Sequence, residues 1–453
     1  MDDARPATVS RSLFGDFVAR SRAAGRLVVQ PRMGFGEPQV MRDGLTAVKA
    51  ARATTIGTVT LDSYTRVGDL DAARKALDEG ADINGYPIVT HGLATNRKLV
   101  EDLLAPDFPI QVRHGSARPQ DIIAASLRAG LDATEGGPVS YCLPYGRISL
   151  RDSVRNWEES CALMTAARAH GAEPHVETFG GCMLGQLCPP SMLVAISLLE
   201  GLFFHRHGVR SISLSYAQQT HADQDRGAIR ALRRLARQFL PDADWHVVVY
   251  TYMGVYPRTG AGARLLLEQS VDIAVRTGAE RLIVKTAAEA HRIATVEENI
   301  QALETAAAAD RRVRATGPLP ADSDDLTDTD GDDFTDDPDA QEILDEATSV
   351  ITAVLALSED PGAALTAAFA HGLLDVPYCL HADNMGRTRS YIDRDGRLRW
   401  SRTGSLPFRA AGRTTDATDM TAADLLGALS RVQRSFDRAA DLGVPPGHVQ
   451  LIN

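Results

Sequence analysis

Three arginines follow apolar runs that have the composition of β-strands. Arg32 lies in the string QPRMG, Arg66 in DSYTR and Arg113 in QVRHG. Because a planar guanidinium grips a carboxylate with two parallel hydrogen bonds, arginine suits the recognition of acidic ligands. Three arginines at one point would repel one another unless an anion with at least two acidic groups lay between them. The spacing therefore predicts a dicarboxylate site, provided that the three strand ends meet. The alternative is that each arginine forms a structural ion pair in the wall of the protein.

A single acidic residue accompanies these arginines. Glu135 lies in the string TEGGP, and Tyr141 and Tyr145 follow it closely. A carboxylate in this position could hold a cation such as the ammonium group of an amino acid. Together with the arginines, it predicts a site for an amino dicarboxylate.

The residues up to about Thr305 alternate between apolar, β-rich runs and segments with helical spacing. Most of these runs are continuously apolar, which is typical of strands covered on both faces. Eight strands with helices between them favour a closed, parallel (β/α)8 barrel of the TIM type, and an open doubly wound sheet is the alternative. The predicted strands are Leu27–Met33, Thr55–Asp62, Ile83–Tyr86, Ile110–His114, His175–Phe179, Ser211–Tyr216, His246–Tyr252 and Arg281–Lys285. In such a barrel the active site lies at the carboxyl ends of the strands, where the polar residues above are found.

The helical segments and the change of composition beyond residue 308 suggest three regions. We predict a barrel over 1–308, an acidic flexible linker or loop insertion over 309–341, and a C-terminal helical and irregular α+β region over 342–453 that packs on the barrel. The predicted helices are Pro119–Gly130, Ser149–His170, Pro190–His207, Gly227–Phe239, Ala261–Gly278, Glu342–Leu357, Pro361–Gly372 and Ala422–Gly443, with irregular structure and short strands over Asp375–Leu406.

The formal net charge of −11 comes largely from one tract. Asp322–Asp339 contains ten aspartates and no basic residue, so the remainder of the chain is close to neutral. The tract cannot bury enough apolar surface to fold alone. An EF-hand register would place Leu326 at the first ligand position and Asp337 where a bidentate Glu belongs, which argues against calcium binding.

Composition excludes several other classes of protein. The 453 residues are 44% apolar and show no clustered basic face for nucleic acid. Met1–Ala24 lacks the apolar core of a signal peptide, and the longest apolar stretch, Met192–Phe204, is interrupted by Glu200 and too short to span a membrane. The five cysteines have neither disulfide nor zinc spacing, so no metal site is predicted in this chain. We expect a cytoplasmic protein.

Seven strings in a fixed order carry a specific resemblance. QPRMG, DSYTR, NGYP, QVRHG, TEGGPVSYCLPY, ETFGG…CPPS and IVKTAAEA resemble the large (epsilon) subunit of glutamate mutase, also called methylaspartate mutase. The resemblance runs from about Arg26 to Thr305 and resumes at Ala370–Gly372, Asp375–Pro377 and Asp383–Gly386. It implies an isomerase that uses adenosylcobalamin to interconvert L-glutamate and 3-methylaspartate by a radical mechanism.

The resemblance also implies roles for individual residues. Arg32, Arg66 and Arg113 would clamp the two substrate carboxylates, while Glu135 would take the ammonium and act as an acid–base partner. Tyr141 and Tyr145 would complete the substrate pocket. The residues expected to contact the coenzyme are Lys285 and Glu289, which would hold the adenosine ribose, Glu177, which would assist them, and Gly34, Thr60, Asn84 and His114, which would line the cavity and the corrin face.

Three features depart from the family pattern. The family places His-Gln-Trp before a Met-Gly pair, whereas this chain has Tyr250-Thr251-Tyr252 before Met253-Gly254, which predicts altered packing around the corrin. The stretch before the first strand is short, and the aspartate-rich tract is an insertion.

The lower cobalt ligand is expected to come from a partner. Corrinoid-binding modules of this type supply a histidine from an Asp-x-His-x-x-Gly motif, and the nearest string here, Asp244-Trp245-His246, has Val249 where glycine is needed. The resemblance thus implies a separate small corrinoid-binding subunit and a homodimer of this chain within a heterotetramer. Two other functions stay open: a mutase of the same mechanism acting on a related or substituted acid, and a non-catalytic homologue that binds an amino dicarboxylate.

Overall fold

Eight parallel strands form the centre of the molecule. The computed structural model describes residues 12–81, 83–144, 146–183, 187–316, 337–409, 421–445 and 449. The strands are β1 Val28–Gln30, β2 Gly57–Thr60, β3 Ile110–Arg113, β4 Ala133–Gly136, β5 His175–Thr178, β6 Ser211–Ala217, β7 Asp244–Tyr250 and β8 Arg281–Ile283. Their side chains are almost all buried, as expected for strands covered on both faces.

The sheet is nearly closed into a barrel. Neighbouring strands pair in the order β1-β8-β7-β6-β5-β4-β3-β2, and all seven pairings are parallel. An isolated parallel bridge between Val29 and Thr55 links the first strand to the residues just before the second, and Thr60 N donates to Met33 O at 2.9 Å beyond it. The predicted (β/α)8 barrel is confirmed, and the open sheet is excluded.

One predicted strand is wrong, and one strand was missed. Ile83–Tyr86 is a loop that lies against the end of β2, where Tyr86 N donates to Thr60 O at 2.9 Å. The fourth place in the barrel belongs instead to β4, whose sequence ATEG has neither an apolar run nor high strand propensity. It is a strand because β3 and β5 pair with it on both sides.

Helices connect the strands and form the C-terminal region. They are α1 Leu13–Ala23, α2 Pro38–Ala50, α3 Ser63–Val67, α4 Leu70–Asp78, α5 Ile88–Val100, α6 Gln120–Arg128, α7 Leu150–Ala166, α8 Pro190–Arg206, α9 Ala222–Phe239, α10 Gly260–Arg276, α11 Val296–Ala315, α12 Pro338–Leu355, α13 Pro361–His371, α14 Ala422–Leu429 and α15 Arg431–Asp441. The predicted helices agree with these within a few residues, except that the last one is two helices separated by Ser430.

The amino-terminal end of the barrel is sealed by α1. Its Phe14 stacks on His175 with ring centroids 4.4 Å apart, and His175 in turn stacks on His246 at 5.2 Å. Above this stack the barrel interior is polar: Arg281 and Glu177, both fully buried, form an ion pair. Because Gln30 and Gln111 hydrogen-bond to this pair, its charges are satisfied without water.

The C-terminal region packs on the barrel helices. The helix α12 lies against α8 and α9, α13 lies against α7 and α8, and α15 lies against α10. A two-stranded antiparallel sheet, β9 Arg389–Ile392 with β10 Leu398–Arg402, provides the short strands predicted over Asp375–Leu406.

Helices extend into both ends of the predicted linker, 309–341. The helix α11, which follows β8, continues to Ala315. The helix α12 begins at Pro338 with Asp337 as its N-cap. Most of the aspartate-rich tract, residues 322–336, lies outside the described residues. Within the described part of the chain, no helix is both long enough and apolar enough to cross a membrane.

Candidate active site

A cavity of about 690 Å³ opens at the carboxyl ends of the strands, where the barrel fold predicts an active site. Its wall includes residues from or just beyond β1, β2, β3, β4, β5 and β7. The lining residues are Arg32, Thr60, Ser63, Arg66, Val67, Arg113, His114, Gly115, Ser116, Ala117, Arg118, Glu135, Tyr141, Gly146, Arg147, Ile148, Phe179 and Met253.

A buried ion pair between Arg113 and Glu135 lies at the bottom of this cavity. Arg113 ends β3 and Glu135 lies in the adjacent strand β4, so parallel pairing brings their side chains together. Arg113 Nε donates to Glu135 Oε2 at 2.7 Å, and both side chains are almost inaccessible to water. In a water-poor pocket, such a pair presents one positive and one negative group to a ligand at fixed positions.

Two tyrosines also contact the carboxylate of Glu135. The hydroxyl of Tyr141 donates to Glu135 Oε1, and the hydroxyl of Tyr250 lies 3.0 Å from Glu135 Oε2. The Tyr250 hydroxyl also contacts Glu177 and accepts from Arg113 Nη2 at 3.2 Å. Burial raises the pKa of Tyr250. Arg113 opposes this effect, whereas Glu135 and Glu177 add to it, so the phenol stays protonated.

Tyr250 begins the Tyr-Thr-Tyr string that departs from the family pattern. Its hydroxyl lies between Glu135, Arg113 and Glu177, beneath the cavity. This residue therefore supports the Arg113–Glu135 pair, while the altered packing around a corrin stays a prediction.

The other two predicted arginines reach the same cavity from different sides. Arg32 Nη1 donates to Glu289 Oε2 at 3.0 Å. Arg66 lies on α3, which begins after Asp62; the Asp62 carboxylate accepts from the N–H groups of residues 64 and 65 and so fixes the helix start. The Arg66 guanidinium donates to Leu61 O at 3.3 Å and packs against Gly115, whose φ of +69° suits glycine. The convergence predicted from the strand ends is present, whereas the role of the arginines as a clamp stays a prediction.

Two further arginines line the outer part of the cavity and were missed. Arg118 and Arg147 are both exposed and lie on loops. Neither follows an apolar run directly, so the rule used to find the other three could not find them. The cavity wall thus carries five arginines and one glutamate. This excess of positive charge attracts anions.

His114 faces the cavity as a neutral ring. It stacks on Trp157 with centroids 5.8 Å apart, and its Nδ1 accepts from Ser116 N at 3.0 Å. Burial, together with Arg66 and Arg113, lowers the pKa of His114 to about 3. Within the described residues, His114 Nε2 and Thr60 Oγ1 are buried and have no hydrogen-bond partner. Buried polar atoms left unpaired at a cavity wall indicate a place where a ligand binds.

A second cavity, of about 670 Å³, lies next to the carboxyl end of β8. It is lined by Gly254, Val255, Tyr256, Arg258, Lys285, Glu289, Ala290, His291 and Gln433. Lys285 Nζ lies 4.3 Å from the Tyr256 ring centroid, and burial lowers the pKa of Lys285 to about 8. Glu289 accepts from Thr286 N at 3.1 Å and from Arg32, so it joins the two cavities.

Three residues expected to contact a coenzyme line neither of these two cavities. Glu177 is fully buried in the barrel interior, where it pairs with Arg281 rather than facing either cavity. Gly34 provides close packing, since a Cβ atom there would lie 2.2 Å from Thr60 O. Asn84 is exposed and lines neither cavity. Tyr145 lies outside the described residues.

Glu200 lies on α8 and contacts two loops of the cavity wall. In the sequence it stands out only as an interruption of an apolar stretch. It is fully buried in α8, a helix whose residues from Pro190 to Phe204 are all buried. Its carboxylate accepts hydrogen bonds from the loops that follow β4 and β5. Burial raises the pKa of Glu200 to about 7, against the effect of those bonds.

These features define an α/β barrel with an arginine-rich cavity at the carboxyl ends of its strands. Residues 10–424 match the family described as methylaspartate mutase E chain (MutE), and the chain belongs to this family. It is accordingly an isomerase of the carbon-skeleton mutase class.

Curated relatives agree with this assignment. The chain is 30% identical over 397 residues to the glutamate mutase epsilon subunit of Escherichia coli O157:H7, covering 85% of this chain and 79% of that one. It is 30% identical over 412 residues to the subunit of the same name from Desulfitobacterium hafniense (strain Y51), covering 87% and 81%. With the epsilon subunit of Haloarcula marismortui it shares 32% identity over 290 residues, covering 62% and 59%.

Proposed function

We propose that this chain is the substrate-binding and catalytic subunit of an adenosylcobalamin-dependent mutase that interconverts L-glutamate and 3-methylaspartate. The observation that carries the proposal is the buried Arg113–Glu135 pair between the other arginines of the cavity. An amino dicarboxylate has two carboxylates and one ammonium group. The Arg113–Glu135 pair matches a neighbouring carboxylate and ammonium, and Arg32 and Arg66 match the second carboxylate.

Counting hydrogen bonds supports a role for Glu135 in binding the ammonium. A carboxylate offers about four acceptor positions. Arg113 and Tyr141 occupy two of them, and the single hydroxyl hydrogen of Tyr250 lies between Glu135 and Glu177. At least one position is therefore left for a donor from the ligand. Because Glu135 faces the cavity, a substrate ammonium would suit that position.

The second cavity fits the sugar of the coenzyme. Lys285 and Glu289 offer a donor and an acceptor on one wall, the set that a ribose diol requires. The coenzyme, when bound, supplies the radical that starts the rearrangement. Lys285 and Glu289 hold its sugar, and the ion pair between Glu289 and Arg32 couples that wall to the substrate pocket.

The relatives' subunit name and the lack of an Asp-x-His-x-x-Gly string in this chain support a separate partner. We expect that small subunit to supply the lower cobalt ligand in a heterotetramer built on a homodimer of this chain. The location in the cytoplasm likewise stays a prediction.

A second candidate is a mutase of the same mechanism that acts on a related or substituted acid. One observation favours it: Arg118 and Arg147 add positive charge to the outer part of the cavity. They would suit a ligand with a further acidic group.

Reconstitution with a family-type small subunit and adenosylcobalamin tests the proposal. We expect conversion of 13C-labelled L-glutamate into 3-methylaspartate, detected by NMR, and no conversion by either chain alone. Glu135→Gln keeps the shape but loses the charge that faces the ammonium, so turnover should fall about a hundredfold, on the order of 3 kcal/mol. A variant within a few-fold of wild type would show that the assigned site is wrong. Rearrangement of a different dicarboxylic acid, with glutamate inert, would favour the second candidate.

A further inference from the structure

Glu200 holds two separate loops of the active site with one carboxylate. Oε1 accepts from Val139 N at 3.1 Å and from Ser140 N at 2.8 Å. Oε2 accepts from Ser140 Oγ at 3.0 Å and from Phe179 N at 3.3 Å. Four donors therefore converge on one fully buried carboxylate, which fills its usual acceptor positions.

The two loops carry residues of the cavity wall. Val139 and Ser140 lie in the turn after β4 that leads directly to Tyr141, and Phe179 immediately follows β5. The rings of Tyr141 and Phe179 pack together with centroids 5.0 Å apart. The Tyr141 hydroxyl donates a hydrogen bond to Glu135. The position of this turn therefore determines whether Glu135, the proposed partner of the substrate ammonium, receives that bond.

The turn is shaped around the carboxylate. A Cβ atom at Gly137 would lie 2.0 Å from Glu200 Oε1, so a residue with a side chain would collide with it. The part of α8 around Glu200 is mainly apolar and fully buried. A buried N–H that loses its acceptor costs about 1–3 kcal/mol, so the turn would rearrange instead of keeping its place.

We propose that Glu200 is a positioning residue of the active site, which sets the place of Tyr141 and Phe179 by binding the backbone of both loops. It touches neither cavity and acts through Tyr141 on Glu135. The catalytic part of this proposal rests on the proposed function, whereas the effect on the loops does not.

Glu200→Gln tests the role, with Glu346→Gln as the matched control. Glu346 is also a buried glutamate, but it bonds Ser191 Oγ at 2.6 Å and Trp400 Nε1 at 3.1 Å, away from the cavity. In Glu200→Gln, an NH2 group replaces one of the two accepting oxygens. This group is a hydrogen-bond donor and would face another donor of the loops, so that hydrogen bond would be lost. We expect the amide hydrogens of residues 139, 140 and 179 to exchange at least about tenfold faster in Glu200→Gln, and to be unchanged in Glu346→Gln.

Turnover in the reconstituted complex gives the second readout. Relative to wild type, kcat/KM should fall about tenfold in Glu200→Gln and stay within about twofold in Glu346→Gln at comparable loss of melting temperature. Gly137→Ala should reproduce both effects, and combining it with Glu200→Gln should add little because both changes break the same contact. If Glu200→Gln does not fold, Glu200→Asp, which keeps the charge but withdraws it from the loops, takes its place.

The outcomes separate the two proposals. Unchanged exchange in the two loops, or equal activity of the two glutamine variants, would overturn the positioning role. If wild type does not rearrange glutamate, the substrate assignment fails, and the positioning of the loops is then decided by the exchange measurement on the chain alone.

Discussion

Arg113 enters the cavity with part of its hydrogen-bonding capacity already used. A guanidinium has five N–H donors. Nε binds Glu135 and one hydrogen of Nη2 binds Tyr250, whose ring lies 5.1 Å from the guanidinium carbon. These contacts hold the plane of the guanidinium and leave its terminal edge for a ligand carboxylate.

Arg113→Lys should therefore impair the enzyme although it keeps the charge. A single ammonium cannot pair with Glu135, contact Tyr250 and grip a carboxylate together, so we expect kcat/KM to fall about a hundredfold or more. Arg168→Lys is the control, because Arg168 also pairs with a buried glutamate, Glu173, but outside the cavity, at 2.7 to 3.0 Å. Steady-state kinetics of both variants check the prediction; equal losses would show that the effect is general.

Tyr250 supplies one hydroxyl to three charged groups. Tyr250→Phe keeps the ring over Arg113 but removes the hydroxyl, so Glu135 and Glu177 each lose a contact. We expect a loss of about 2 kcal/mol in the free energy of unfolding and at least about a tenfold loss of kcat/KM.

Tyr216→Phe provides the comparison for that variant. Tyr216 is also fully buried, and its hydroxyl donates to Asp225 Oδ1 at 2.8 Å, outside the cavity. It should lower stability to a similar degree, measured by urea unfolding, with little change in the turnover of folded enzyme. If both variants lost activity equally, Tyr250 would be a structural residue only.

At the scale of elements, α1 closes the barrel by packing an aromatic ring on two neutral histidines. Burial, then Arg281, lowers the pKa of His175 and of His246 well below the ordinary value; His175 and Arg233 add to the effect on His246. In the unfolded chain a histidine has a pKa of about 6.5. The unfolded state therefore takes up protons below that pH and the folded state does not, so these residues withdraw stability as the pH falls.

His246→Asn isolates this effect from other titrating groups. Buried carboxyls such as Glu200 and Glu346, with pKa values raised to about 7 by burial, change stability in the opposite direction, so wild type alone is not diagnostic. The cost of the substitution at pH 7.5 should be smaller at pH 5.5 by about 1.4 kcal/mol, as expected for one histidine. Urea unfolding at both pH values measures this. An equal cost at both would mean that His246 is protonated in the folded protein.

At the scale of the whole molecule, the C-terminal region is attached through charged contacts near the start of α12. Asp337 caps this helix and pairs with Arg230 at 2.6 Å. Asp339 pairs with Arg397 at 2.9 Å and with Arg399 at 3.5 Å, which ties α12 to the β9–β10 hairpin. The last aspartates of the acidic tract therefore belong to the folded C-terminal region.

Two deletions should separate the tract from these contacts. Replacing 318–335 with a short Gly/Ser bridge should leave the melting temperature within about 2 °C of wild type, because its composition cannot form a core. Extending the deletion through Ala340 removes the cap and both aspartates and should cost about 2 kcal/mol or more. Differential scanning calorimetry distinguishes the two. A large loss from the shorter deletion would show that 318–335 is integral to the fold.

Much of the fold could be read from local patterns. Seven of the eight strands and most helices were predicted because apolar runs and helical spacing are properties of contiguous residues. The strand β4 was not, because its residues ATEG become a strand only through pairing with β3 and β5. The apolar residues Ile83 and Tyr86 predict a strand over Ile83–Tyr86, but these two side chains are buried as part of a loop.

Local patterns were enough to predict the barrel, the family resemblance and the meeting of Arg32, Arg66, Arg113 and Glu135, since strand ends in a parallel barrel share one face. The residues that support these side chains are known only from the three-dimensional fold. Tyr250 reaches Glu135 across 115 positions of the chain, and Glu200 reaches Ser140 across 60. Likewise, Glu177 proved to belong to the barrel interior, because Arg281 pairs with it across 104 positions. Such contacts depend on burial and on strand order. Neither can be predicted from the residues that are adjacent in the sequence.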